Sequence, residues 1–242
     1  MKSRNLMKRV LISILLVVTA TLMVCAQEVS RHEVKVGNFS RLVLLDDINV
    51  NYRCNADSAG LVVFTCTQEI ADHLIFSLSD KGRLTIQVAD EYERQGHLPT
   101  LTIYSSALEE AENSGDSIMR ISGLPPMKSF KVRLVDNGKV IVRGVRASQL
   151  ELQILSGKGK IIADGSCDNL TLRLIGTGEI QADKVAAGNV TCRIMGTGSI
   201  GCDVHDGELK VSGSGTGKVY YKGTPSKVTV RKLGTIKAIP MQ

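Results

Sequence analysis

The chain has 242 residues and a formal net charge of +6, with a sequence pI near 9.0. Four of its 30 Lys and Arg residues (Lys2, Arg4, Lys8 and Arg9) lie in the first 26 residues, which hold no acid; the rest carries 26 basic against 24 acidic residues, a net of +2. Without basic runs or interleaved aromatics, that balance excludes nucleic acid as the expected partner.

Residues 1–26 read as a secretory signal peptide. The four basic residues form a positive n-region, and VLISILLVVTATLMV (10–24) is an apolar run shorter than the roughly 20 residues a bilayer span needs. Val24-Cys25-Ala26 then places small residues at −3 and −1 of a cleavage site between Ala26 and Gln27. Val24 stands before Cys25 where a lipobox wants Gly, Ala or Ser, so plain cleavage ranks above lipidation. The expected product is exported, to the periplasm, the outer-membrane surface or the medium, with no membrane span left after processing.

After a linker over 27–35, one domain is expected over 36–240. Its first part, to about residue 106, contains RLVLLDDINVNY, GLVVFTCTQ and LIFSLSDKGRLTIQV, alternating or apolar runs that read as antiparallel strands covering one end of the molecule. Asp80-Lys81-Gly82 supplies a tight hairpin turn. Leu124-Pro125-Pro126 marks a loop.

From 107 to 240 the chain repeats itself. RLIGTGEI (173–180) and RIMGTGSI (193–200) are nearly the same eight residues, and Gly-x-Gly-x-[Ile/Val] recurs at Gly157, Gly176, Gly196 and Gly215, in steps of 19, 20 and 19 residues. Gly138-Lys139-Val140 and Gly234-Thr235-Ile236 are fainter copies. Before each glycine pair the residues alternate (Leu170/Leu172/Leu174, Val190/Cys192/Ile194, Leu209/Val211), and after it comes a shorter alternation (Ile161/Ala163, Ile180/Ala182, Ile200/Cys202, Val219/Tyr221). Period two means strand. Each unit thus holds two short strands with a glycine bend between them, and it can bury its apolar face only by stacking on its neighbours. The expected fold is all-β: a parallel, right-handed β-helix with coils of about 19–20 residues and antiparallel hairpins at its N-terminal end. The last residues, Ile239-Pro240-Met241-Gln242, are expected to blunt the other end, because an open strand edge invites aggregation.

The signal sequence, the Asp-Ile-Asn-Val stretch (47–50), the serial LxLxxxGxGxI units and the closing GKVYYKGTPSKV (217–228) together resemble the auto-transporter adhesin "head GIN" domain family of Bacteroidetes over about residues 36–240. The most specific part is Val219-x-Tyr221-x-Gly223-x-Pro225; Asp47 stands where Gly is expected before Ile48-Asn49. The resemblance implies an exported β-helical domain with an adhesive role. It carries over no catalytic or binding residue.

Two columns are candidates for binding. Asp164, Asp183 and Asp203 each lie five residues after the second glycine of their unit and are expected to stack along one edge, where their charges would bind a cation or substrate or simply close turns into solvent. Thr177, Thr197 and Thr216, continued by Thr235, form a single file at the bend that would contact glycan or serve as a structural ladder. Cys54, Cys66, Cys167, Cys192 and Cys202 have no CxxC spacing and read as small apolar filler. Scattered histidines and the absence of any hydrolase, P-loop or dinucleotide motif leave catalysis unsupported, and no metal or cofactor is expected. The function expected is a non-enzymatic adhesion or interaction module of the bacterial envelope, binding an unidentified glycan or protein. The alternatives are a polysaccharide-active β-helix enzyme using the Asp column and a self-assembling structural element.

Overall fold

A computed structural model describes residues 28–89 and 98–241. The cleavage site at Ala26 and Gln27, and His97, lie outside the described residues. Strands follow the alternation of apolar residues. β1 (Ser30–Lys35), β2 (Arg41–Leu44), β3 (Val50–Cys54) and β4 (Leu61–Cys66) precede a short helix, α1 (Gln68–Asp72), and β5 (Leu74–Leu78), β6 (Arg83–Val88) and β7 (Leu101–Ser105) follow it. β8 (Glu110–Asn113), β9 (Ile118–Ser122) and β10 (Met127–Leu134) lead into three long strands, β11 (Lys139–Ile154), β12 (Lys160–Gly176) and β13 (Glu179–Gly196). The chain closes with β14 (Ser199–His205), β15 (Glu208–Gly215), β16 (Lys218–Thr224), β17 (Lys227–Gly234) and β18 (Lys237–Pro240).

These strands build a parallel β-solenoid. On its long side β10 pairs with the second half of β11, and the column continues through the second halves of β12 and β13 to β15 and β17. On its short side β9 pairs with the first half of β11, and the column continues through the first halves of β12 and β13 to β14, β16 and β18. Each long strand therefore runs along the short side of one coil, turns a corner and enters the long side of the next. The corner is marked by register shifts at 142/145, 162/164 and 182/186.

The core is a set of stacked columns. Leu150, Leu170, Val190 and Leu209 face inward from the long side, with Leu152, Leu172, Cys192 and Val211 beside them; Val140, Ile161, Ile180, Ile200 and Val219 meet them from the short side, all buried. Full burial of such a side chain stabilises by about 1.5–3 kcal/mol, so each coil depends on the coils above and below it. The glycine bends fit this stacking closely. Gly196 has φ of 137°, and a Cβ there would run into the carbonyl oxygen of Gly176 in the preceding coil. The repeat thus needs glycine on glycine, which is why the pair returns in register.

The N-terminal part is more solenoidal than a purely antiparallel reading of 35–106 allows. The hairpin at Asp80-Lys81-Gly82 joins β5 and β6 antiparallel, and β1–β4 and β4–β7 are also antiparallel. β2, however, lies parallel between β6 and β8, and β3 lies parallel between β7 and β9. The coil formed by β2 and β3 is inserted between two that come later in sequence. Residues 30–35, expected within a linker, form β1, where His32 stacks on Phe64 with ring centroids 5.2 Å apart. The C-terminal expectation also needs correction. Pro240 ends the short side, with the Met241 N–H donating to the Tyr221 carbonyl at 2.7 Å. On the long side no described strand covers the outer edge of β17, where Val228, Val230 and Leu233 are exposed and Lys227, Arg231 and Lys232 supply the charge that guards an edge strand.

Candidate functional site

The three aspartates of the first column sit at the corner but do not form a ladder of facing carboxylates. The bulge after Ile162 slips the register by one, so Asp164 stands opposite Lys184 and not Asp183. Asp164 is clamped by Arg143 at 2.6 Å and by the Gly144 N–H at 2.6 Å. Partial burial pushes its carboxyl up, but the Arg143 and Gly144 hydrogen bonds and the Lys184 charge together hold it below its ordinary value. Asp183 lies over Gly201 of the next coil. Asp203 lies 3.3 Å from His205 and 3.9 Å from Lys222. Each carboxylate has its own surroundings, and among the described residues no group of three or more His, Cys, Asp or Glu side chains could hold a metal ion.

The threonine file is brought together. Thr177, Thr197, Thr216 and Thr235 project from successive bends into solvent, and their N–H groups donate to the carbonyls of Gly157, Gly176, Gly196 and Gly215 in the coil before, at 3.0 to 3.2 Å. Of the five cysteines among the described residues, Cys66, Cys167, Cys192 and Cys202 are buried and all five are free. Its hydrogen bond with Cys202, reinforced by burial, raises the Cys192 thiol, and burial next to Asp168 pushes Cys167 up to about 12, so neither is a thiolate near neutrality.

The Asp-Ile-Asn-Val stretch serves the joint between coils. Ile48 is fully buried, Asp46 accepts from the Val88 N–H at 2.6 Å, and Asn49 accepts from the Ile118 N–H at 2.9 Å. Asp47 accepts from the Asp116 N–H at 2.5 Å. These side chains tie the inserted coil to its two neighbours.

The outer face of the long side carries a feature that the repeats contain but that the aspartate and threonine columns overlook. In one outward column Arg133, Gln153, Arg173, Arg193, Ser212 and Arg231 stand on successive strands. Arg133 is paired with Glu110 and Glu112, and beside it Lys131 bonds Glu151 at 3.0 Å. Arg173, Arg193 and Arg231 make no ion pair or side-chain hydrogen bond with any described residue, although Arg173 and Arg193 are direct neighbours in register. Like charges so placed cost a few tenths to about 1 kcal/mol. Towards the C-terminal end the face opens into a groove of about 340 Å³ bordered by Arg193, Lys210, Ser212, Lys227, Thr229 and Arg231. Its carboxylate, Glu208, is bonded by Lys210 at 2.8 Å, which lowers its pKa. The signal was present in the sequence: both copies of the repeated octapeptide begin with arginine.

Parallel coils of about 20 residues with open outer faces define the protein as a β-solenoid. The family described as "Putative auto-transporter adhesin, head GIN domain" matches residues 38–225, and the chain belongs to it. Three solved structures share the fold. A "putative adhesin" from Bacteroides fragilis is 19% identical with a TM-score of 0.78, over 89% of this chain and 98% of that one. A "putative lipid binding protein" from Parabacteroides distasonis is 18% identical with a TM-score of 0.70, over 90% and 98%. A "putative adhesin" from Parabacteroides merdae is 19% identical with a TM-score of 0.65, over 90% and 98%. No curated protein matches the chain. Family membership suggests an adhesion-like role at the envelope or outside the cell; among the described residues no helix is long and apolar enough to cross a membrane.

Proposed function

We propose that this chain is an exported, non-enzymatic adhesion module of the bacterial envelope that holds an extended glycan or protein along the outer face of its solenoid. The observation that carries the reading is the in-register repetition of outward side chains: Asn169 opposite Asn189, Thr171 opposite Thr191, Arg173 opposite Arg193. Such a surface offers the same contact again about 4.8 Å further along, which suits an extended or repeating partner better than a small molecule in a closed pocket. The family's description as an adhesin supports it. Export depends on the leader over 1–26, removed after Ala26. Asp164, Asp183 and Asp203 close the corners, and Thr177, Thr197 and Thr216 rim the face as a hydroxyl edge available to the partner.

A glycan and extracellular-matrix array probed with protein beginning at Gln27 tests this. Retention on a defined glycan or matrix protein, without its cleavage, is the expected result. Release of reducing ends from a retained polysaccharide would overturn the non-enzymatic reading in favour of an enzyme. A second reading, end-to-end assembly, is favoured by the uncovered β17 edge with its exposed Val228 and Val230. It requires a concentration-dependent mass increase in light scattering that Val230→Lys abolishes.

A further inference from the structure

We propose that the arginine column of the long side is the binding track, and that its ligand is an acidic polysaccharide whose carboxylate or sulfate groups are held by Arg173, Arg193 and Arg231 with Lys227 along one edge. The proposal deepens the adhesion reading and rests on it.

Four observations converge on this track. First, the column changes character along its length: Arg133 has two carboxylate partners, whereas Arg173, Arg193 and Arg231 have none among the described residues. Stacked unneutralised guanidinium groups repel one another, and a chain of anions laid over them removes that repulsion. Second, the spacing is fixed by the sheet. Arg173 and Arg193 are one strand apart and Arg193 and Arg231 two, so the positive groups recur at about 5 and then 10 Å along the axis. A rigid linear array of this kind matches a polymer with regularly placed anions.

Third, the column on one side of the arginines is rich in hydroxyls, while Ile175, Met195, Ser214 and Leu233 stand on the other. Thr171, Thr191 and Thr229 supply that hydroxyl side, and Ser212 stands between Arg193 and Arg231 within the arginine column. Thr191, Ser212 and Thr229 border the groove with the bases. Hydroxyls that both donate and accept suit sugar hydroxyls. Fourth, no aromatic residue occurs in the long-side strands over 169–176, 189–196, 208–215 and 227–234. A single-stranded nucleic acid is held by stacking its bases on aromatic rings as well as by charge, and a neutral sugar gains nothing from four cations. Charge with hydroxyls and without rings selects an acidic glycan. Glu208, the carboxylate in the groove, is neutralised by Lys210 and does not repel the ligand.

The test uses protein beginning at Gln27 with four immobilised probes: polygalacturonate, heparin, neutral dextran and oligo(dT). Wild type is expected to bind one or both acidic polymers and not dextran, with affinity falling as salt rises. Arg173→Gln/Arg193→Gln should weaken that binding at least tenfold and make the log–log salt dependence shallower by about one to two. Its melting curve should match or exceed that of wild type, which separates lost binding from lost fold. Arg53→Gln/Arg120→Gln removes the same charge from the short side and should leave binding within twofold. Equal losses in the two double variants, or full binding by Arg173→Gln/Arg193→Gln, overturn the track. Tighter binding of oligo(dT) than of either acidic glycan overturns the choice of ligand. If the array finds a protein or neutral glycan held equally by wild type and Arg173→Gln/Arg193→Gln, the adhesion reading stands and this proposal falls; if the array and both acidic probes retain nothing, both fall.

Discussion

The two halves of the long side share one backbone and treat charge in opposite ways. Around β10 and the second half of β11, Arg133 is clamped by Glu110 and Glu112, and Lys131 by Glu151. From β12 onwards the Arg133 column carries Arg173, Arg193 and Arg231 without partners among the described residues; the core beneath Arg173 and Arg193 is packed just as tightly, and it opens only at Val228 and Val230 on the last strand. The fold therefore needs the inner columns in both halves, and draws on outer charge pairs in the clamped one. An arginine that the solenoid does not need is free to serve a ligand.

That contrast can be broken at several points. The largest effect should come from inside: Leu172→Ala removes a fully buried side chain of the stack directly beside Arg173 and should cost about 2–5 kcal/mol in urea unfolding. A cost below about 0.5 kcal/mol, the size of an ordinary surface change, would show that the wrong face was assigned to the core. Next comes the clamped half. Glu110→Gln/Glu112→Gln leaves the half-buried Arg133 unpaired and should destabilise by about 1–3 kcal/mol, measured by the same unfolding midpoint.

At the corner, the hydrogen bonds to Asp164 hold its folded pKa below the unfolded one. Their stabilisation is therefore complete above the ordinary carboxylate value, about 3.9, and is lost as pH falls through the lowered folded value. Arg143→Gln should melt below wild type at pH 7, by no more than about 1 kcal/mol because the Arg143 side chain is 55% exposed. The gap should close on acidification; a gap that persists at pH 2 would assign it to packing. The smallest effect is expected on the unpaired half. Arg173→Gln/Arg193→Gln should gain a few tenths to about 1 kcal/mol, most visibly at low salt, and a loss of stability would mean that these arginines support the fold.

The sequence made the period, the inner columns and the glycine bends readable because stacking imposes each of them every 19–20 residues. It hid the insertion of β2 and β3 between later coils, since those strands carry no glycine pair to announce a coil. It also hid the slip at Ile162/Asp164: equal spacing from the glycines suggested that Asp164 and Asp183 would face each other, but a bulge at the corner costs one residue of register. The arginine column was visible at the head of both octapeptides, yet a charged residue on the outer face of a strand reads as ordinary solvation until its lack of a partner is known.

The inserted coil also bears on the order in which the molecule can form. Arg41 pairs with Arg83 on one side and Glu110 on the other, so β2 has both neighbours only after the chain has returned from a long excursion. Beyond β9 each coil closes on one roughly a repeat earlier, a local step with little loop entropy to overcome. Refolding is expected to wait on the N-terminal closure and then propagate quickly toward β18, like a zip fastener that must first be seated at its box. Pulse-labelling hydrogen exchange should find β2 and β8 protected no later than β13 and β15; the reverse order would mean that the repeats nucleate on their own.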